Sequence, residues 1–126
     1  MSALIVEDGK VLLVKRGTEP NRGLWSLPGG SIEPGETVRE AVAREVFEET
    51  SLAVEAGELL GVQDVISAEG ERLQFHYVLI TFRARVTSGV PEAGSDAAEV
   101  RWVRLDDLDD YRTTPGLAER LAQMMR

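Results

Sequence analysis

Apolar and polar positions alternate along the chain in a pattern that predicts strands at both ends of a central helix. Residues 3–15 hold two apolar β-branched runs, ALIV and VLLV, around Asp8-Gly9. An Asp-Gly pair between such runs is a tight-turn signal, so the stretch reads as a hairpin. Residues 59–67 and 72–86 read as strands, joined by a turn at Ala68-Glu69-Gly70-Glu71. Within Leu73–Phe82, Phe75, Tyr77 and Leu79 share one face, and Val78, Ile80 and Phe82 share the other. Apolar residues on both faces predict a central strand buried on both sides. Val100–Val103 reads as a short strand after the loop Gly89–Ser95. Thr114-Pro115 predicts the start of the last helix, as N-cap and first helical residue. Leu117, Leu121, Met124 and Met125 form its core stripe.

The central helix is the strongest prediction. Pro34-Gly35 marks a turn, and Thr37-x-x-Glu40 is a capping box. From there an amphipathic helix runs to about Thr50. At about 100° per residue, Glu45, Glu48 and Glu49 fall in the same arc as Val38, Ala41 and Val42, with Val46 at its edge. An ordinary surface helix keeps its acids opposite its apolar stripe. Three crowded carboxylates repel one another and resist desolvation. A hard divalent cation resolves that conflict, because Mg²⁺ takes oxygen ligands from carboxylates, water and phosphates. Phe47 lies on the opposite arc, which predicts a helix covered on two sides.

Composition narrows the chemistry. The 126 residues are enough for one domain with a real core. The formal net charge of −8 argues against nucleic acid or an anionic membrane as a partner. A phosphate ligand then needs a metal or local arginines. With no cysteine there is neither a disulfide nor thiol catalysis, and a cytoplasmic location fits. No apolar run is long enough to span a membrane. Four aspartates in Leu105–Tyr111 lack the spacing and glycine of a calcium loop, and read as a short solvated helix or turn. Met124 and Met125 are packing residues. The paired glycines Gly29-Gly30 allow a close backbone approach to a ligand. Trp25 is a candidate for stacking on a base, Arg22 for reaching a phosphate. His76, the only histidine, and Asp64 are weaker candidates for contact with substrate and metal.

Gly30, Glu36, Arg44, Glu45, Val46, Glu48, Glu49 and Leu52 stand in the register of the Nudix hydrolase signature, which these residues resemble. The Trp25-x-Leu-Pro-Gly-Gly30 run resembles the segment that precedes it in that family. The one departure is Ser51, where the family has a glycine suited to a left-handed helix end. That conformation costs a non-glycine residue about 1–2 kcal/mol. The resemblance implies an α/β (α+β) fold, an α/β/α sandwich with a mixed β-sheet, over residues 1–126, with the signature at 30–52.

It also implies metal-dependent hydrolysis of a nucleoside diphosphate linked to another moiety, with Mg²⁺ or Mn²⁺ as cofactor. The implied metal ligands are the Gly29 carbonyl, Glu45, Glu48 and Glu49. The implied catalytic acids are Glu45, Glu48 and Glu99. The general base is either Glu45 or a loop acid, with Glu99 the first choice and Asp96 and Glu92 behind it. A basic residue at Lys15 or Arg16 is expected on substrate phosphate, beside Arg22 and Trp25. Arg44 and Glu36 are expected to pair. Family members usually have a further strand before Ala3–Val6, so a second copy, in a homodimer, is a candidate cover for the sheet edge. The Phe75–Val78 strand and the Gly89–Glu99 loop look most like small ADP-ribose pyrophosphatases, which release AMP and ribose 5-phosphate. The alternatives are a (d)NTP pyrophosphohydrolase releasing pyrophosphate, and a module that only binds a nucleotide.

Overall fold

The computed structural model describes residues 1–125. The strands are β1 (Ser2–Leu4), β2 (Val6–Glu7), β3 (Lys10–Arg16), β4 (Trp25–Ser26), β5 (Ala53–Glu69), β6 (Arg72–Ser88) and β7 (Ala97–Arg104). The helices are α1 (Val38–Thr50) and α2 (Leu117–Met124), with a 3-10 helix at Leu105–Asp110. One sheet has the order β1-β6-β5, with β1 parallel and β5 antiparallel to β6. The other runs β2-β3-β4 with β7 also on β3, all antiparallel. This is the mixed α+β class that the sequence implies.

Strand β3 decides where the layers lie. Val11, Leu12 and Leu13 are fully buried and Val14 nearly so. Successive side chains of a strand point to opposite faces. Val11 and Leu13 pack with Leu108, Leu117 and Leu121, whereas Leu12 packs with Val42 and Val46. Thus α2 covers one side and α1 the other. The strand buried on both faces is therefore β3, not the expected Leu73–Phe82. In β6, Leu73, Phe75, Tyr77 and Val78 are each about half exposed, and the strand enters the core only near Phe82 and Ala84. The reason is length. β1 has three residues and meets β6 only at Thr81–Arg83, so the rest of the β5–β6 pair projects as a two-stranded ribbon.

The first hairpin is shorter than predicted. Asp8 and Gly9 both take positive φ, 51° and 76°, as a two-residue Asp-Gly turn requires. They join β2 to β3, while Ala3 and Leu4 belong to β1 in the other sheet. The capping box forms as read: Glu40 N–H donates to Thr37 Oγ1, and Thr37 N–H to Glu40 Oε1. Ser51 ends α1 in the left-handed conformation (φ 65°), with its N–H on the Phe47 carbonyl and its hydroxyl on the Glu92 carbonyl. The serine therefore adopts the glycine geometry. Phe47 is 59% exposed, so the outer arc of α1 is not covered by a second layer. Helix α2 starts two residues later than predicted, because Gly116, at φ 82°, interrupts the chain after the Thr114 turn.

Leu12 is enclosed between α1 and the sheet. Leu12→Ala is expected to destabilise the protein by about 2–5 kcal/mol, read as a fall in the denaturant midpoint.

Candidate active site

Arg44 fixes the geometry at the start of α1. Its guanidinium donates twice to Glu36, Nε to Oε2 at 2.7 Å and Nη2 to Oε1 at 2.9 Å, and once to the Ser31 carbonyl at 2.9 Å. Nη1 reaches Glu45 Oε1 at 3.0 Å and Glu48 Oε2 at 3.3 Å. A planar donor fork suits such bidentate pairing. The fork holds the Glu36 carboxyl below its usual range. It also ties the Gly30–Glu36 turn to the helix, which is the pairing expected from the sequence.

Beyond Arg44 lies a cavity of about 270 Å³ bordered by Arg16, Gly29, Gly30, Glu45, Glu49 and Asp96. Glu49 accepts a hydrogen bond from the Gly29 N–H at 3.0 Å. Burial pushes its carboxyl up to about 8; Glu45 and Asp96 push the same way, while the Gly29 N–H and Arg16 oppose. Burial also raises the Glu45 carboxyl, against the pull of Arg44. Gly30 permits this packing, since a Cβ there would lie 2.5 Å from the Glu45 carboxyl carbon. The loop carrying Asp96 is pinned by backbone bonds: Glu92 N–H to Thr50, Gly94 N–H to Glu49, and Gly17 N–H to the Asp96 carbonyl at 2.7 Å.

These residues fit a hard divalent cation. The donors are carboxylates and backbone carbonyls, and Glu49 is a desolvated acid with one hydrogen-bond donor. Among the described residues no three acids already form a cage. Glu45 and Glu48 are instead turned to Arg44. A cation that keeps several waters and takes substrate phosphate oxygens needs only one or two protein carboxylates.

The cavity brings together Gly29, Glu45, Glu49, Arg16 and Asp96 of the predicted residues. It does not gather the others. Glu48 is exposed and faces Arg44. Glu99, the first choice among the loop acids, is drawn to Lys15 at 3.4 Å and Arg101 at 3.2 Å on the opposite sheet face. Glu99 lies directly opposite Lys15 on β3, so the two side chains share the face away from α1; the register shifts next to this pair, where Arg16 pairs with Ala97. Asp96 is the loop acid that meets the cavity. Lys15 is likewise committed to Glu99. Arg22 is exposed and borders no cavity described here. Trp25 is 6% exposed, with the Tyr111 ring edge-on to it and the Arg101 guanidinium over its ring, so no face is open for a base. Glu92 serves through its backbone. His76 and Asp64 bond each other at 2.9 Å on the exposed ribbon.

A larger cleft of about 900 Å³ continues from the cavity, sharing Arg16, Gly29 and Gly30. One wall is the ribbon, where Phe75 and Tyr77 stack at 5.7 Å. The other includes Pro115 and Arg120 of the α2 segment. Sequence reasoning assigned Phe75 and Tyr77 to a core and gave Arg120 no role. The available signal was their pairing at i and i+2, which puts both rings on one face.

The carboxylate-lined cavity lies beside the Gly29-Gly30 turn and opens into the aromatic-walled cleft. The chain matches the NUDIX domain family over residues 1–125 and belongs to it. It is 41% identical over 108 residues to an ADP-ribose pyrophosphatase of Methanocaldococcus jannaschii, covering 86% of this chain and 62% of that protein. An 8-oxo-dGDP phosphatase of Homo sapiens is 35% identical over 106 residues, covering 81% of this chain and 30% of that protein. The chain therefore spans less than two thirds of either relative. A crystal structure of a MutT NUDIX hydrolase from Burkholderia pseudomallei superposes with a TM-score of 0.83 at 37% identity, covering 97% of this chain and 93% of that one. Nudix hydrolases generally use divalent metal ions.

A carboxyl whose folded pKa lies above its unfolded value favours folding most at low pH. For Glu49 that contribution fades as pH rises from about 4.5 through about 8. In chelator, the melting temperature should therefore fall across this window, and Glu49→Gln should flatten the fall. Thermal unfolding from pH 5 to 9 checks this; an equal slope in the variant counts against it.

Proposed function

We propose that the protein is a Mg²⁺-dependent pyrophosphohydrolase of nucleoside diphosphates linked to another moiety, with ADP-ribose as the first substrate to test. The observation that carries this reading is the convergence of Glu45, Glu49 and Asp96 on a cavity that also presents Arg16 and the Gly29-Gly30 backbone. A divalent cation bound there would supply positive charge at phosphate oxygens and would acidify the attacking water. Mn²⁺ has the same ligand preferences and is the alternative ion. Arg16 adds positive charge at the rim. Glu45 and Glu49 would hold the cation with the Gly29 carbonyl. Asp96 or Glu45 takes the proton of the attacking water as its oxygen bonds to phosphorus. The P–O bond of the pyrophosphate link breaks, and its electron pair leaves with the departing phosphate.

For ADP-ribose the products are AMP and ribose 5-phosphate. The name of the Methanocaldococcus jannaschii relative supports this choice. The second reading is a (d)NTP pyrophosphohydrolase. It is supported by the likeness to the MutT NUDIX hydrolase from Burkholderia pseudomallei. We assign the protein to the cytoplasm, where such nucleotides and Mg²⁺ occur. A second copy is the partner we propose for the ribbon, where Val62, Ile66 and Val78 are exposed. Sedimentation should then report a homodimer, and a monomer at high concentration would count against it.

Glu49→Gln should lower turnover by at least about 10²-fold. Near-normal turnover in a folded variant would sink the assignment. Asp96→Asn should cost at least about tenfold, and Glu99→Gln less than Asp96→Asn, on the scale of general-base effects. The reverse order would return the loop-acid role to Glu99. Assays should follow AMP from ADP-ribose and pyrophosphate from triphosphates separately.

A further inference from the structure

The loop over residues 89–96 lies hard against the C-terminal end of α1. A Cβ on Gly89 would stand 2.8 Å from the Ser51 carbonyl oxygen, and one on Gly94 2.7 Å from that of Glu48. The last carbonyls of a helix lack partners within it. Here the loop supplies them: Glu92 N–H donates to the Thr50 carbonyl at 2.8 Å, and Gly94 N–H to the Glu49 carbonyl at 3.1 Å. Ser51 bonds in the other direction, its hydroxyl donating to the Glu92 carbonyl at 3.0 Å. Backbone groups make the first two bonds whatever the residue. The third needs a side chain, and a glycine at position 51 could not make it.

Two non-glycine residues hold left-handed backbone at this contact, Ser51 (φ 65°) and Ser95 (φ 53°). Such conformations persist where surrounding bonds over-determine them. At Ser95 the bond is Ala97 N–H to the Gly94 carbonyl at 3.1 Å, which closes a tight turn. Asp96 follows directly and borders the cavity. At position 51 a glycine would be free of strain. The serine accepts that strain and gains a bond to a loop 41 positions away. Because Gly94 bonds the backbone of Glu49, the buried carboxylate and the loop acid belong to one docked unit.

We infer that Ser51 is a positioning residue: its hydroxyl holds the loop over residues 92–96 on the end of α1 and so sets Asp96 at the cavity. This rests on the pyrophosphohydrolase reading for the task of Asp96, but not for the docking of the loop.

Hydrogen exchange of the Glu92 and Gly94 amides reads the docking without substrate. Ser51→Gly keeps the left-handed backbone and loses the donor, so both amides should exchange about three- to tenfold faster, the scale of one hydrogen bond. Asparagine tolerates the same backbone and carries an amide donor, so Ser51→Asn should restore protection. Kinetics of the Mg²⁺-loaded protein, on ADP-ribose or a triphosphate, read the consequence. Ser51→Gly should lower kcat by at least about threefold and leave KM within about twofold, because the proton acceptor is misplaced and the phosphate contacts are not. In an Asp96→Asn background the same substitution should leave kcat unchanged. A role confined to the helix end would act through Glu49 and lower kcat in both backgrounds.

Unaltered amide exchange in Ser51→Gly overturns the inference. So does faster exchange with kcat intact, an equal loss of kcat with and without the Asp96 carboxylate, or an asparagine variant as impaired as the glycine variant. If Asp96→Asn alone turns over normally, the loop acid has no task and the inference falls with it. If the wild-type protein hydrolyses neither kind of substrate, the functional reading fails, and amide exchange alone decides whether Ser51 holds the loop.

Discussion

The fork of Arg44 is the contact on which the site depends. Four carboxylates, those of Glu33, Glu36, Glu45 and Glu48, lie within 4 Å of this one guanidinium. Exposed ion pairs taken singly are worth little. The fork matters because it is half-enclosed, bidentate and bonded to the Ser31 carbonyl as well. It fixes the distance between a turn and a helix that otherwise repel each other. A lysine, with its single point charge, could not hold both oxygens of Glu36 in a plane while reaching Glu45. Once the turn is docked, Gly29 and Gly30 lie against Glu49 and Glu45, and the cavity exists.

The second constraint is the burial of β3 on both faces. Leu12 faces α1 while Val11 and Leu13 face α2, so the helices must lie on opposite sides of the strand that also carries Arg16. The same strand sets the register of β7 and hence of the loop before it. Pairing with Lys15 puts Glu99 on the face away from α1, while Asp96, just before β7, borders the cavity with Arg16. Packing in the core and acid chemistry at the rim are linked through a single strand.

What was legible in the sequence is local. The capping box at Thr37 and Glu40, the Asp8-Gly9 turn and the arc of carboxylates on α1 each depend on residues a few positions apart. The turn and the capping box formed as read; of the arc, Glu45 and Glu49 border the cavity while Glu48 is exposed. The Arg44–Glu36 pair spans eight residues, and the family resemblance supplied it. What was not legible depends on partners far along the chain. Phe75, Tyr77 and Leu79 alternate with apolar neighbours just as a buried strand does; only the short reach of β1 leaves that stretch outside the core. Asp96 and Glu99 are three positions apart, and which of them meets the cavity depends on how β7 pairs with the distant β3. Trp25 sits in a motif beside the site, yet the long-range partners Tyr111 and Arg101 draw its ring into the opposite layer. Arg120 has no local signal at all, because the cleft it borders is built with the distant ribbon.

An acidic protein that takes anionic ligands has to solve an electrostatic problem. With a formal net charge of −8, the long-range field opposes the approach of a polyphosphate. Attraction must then be short-range and built in. Of the cations beside the site, Arg44 is committed to the turn and Lys15 to Glu99. Arg16 is positioned by its Nε on the Pro20 carbonyl, a neutral acceptor that leaves its charge uncompensated. It faces Glu49 and Asp96 across the cavity, and alone it does not balance them. Burial, with Glu45 and Asp96 adding to it, raises the Glu49 carboxyl, and Arg16 opposes that only in part. On the proposed reading, a divalent ion bound at Glu49 would displace that proton and make the cavity less negative, so metal and phosphate affinity would be coupled through one buried carboxylate.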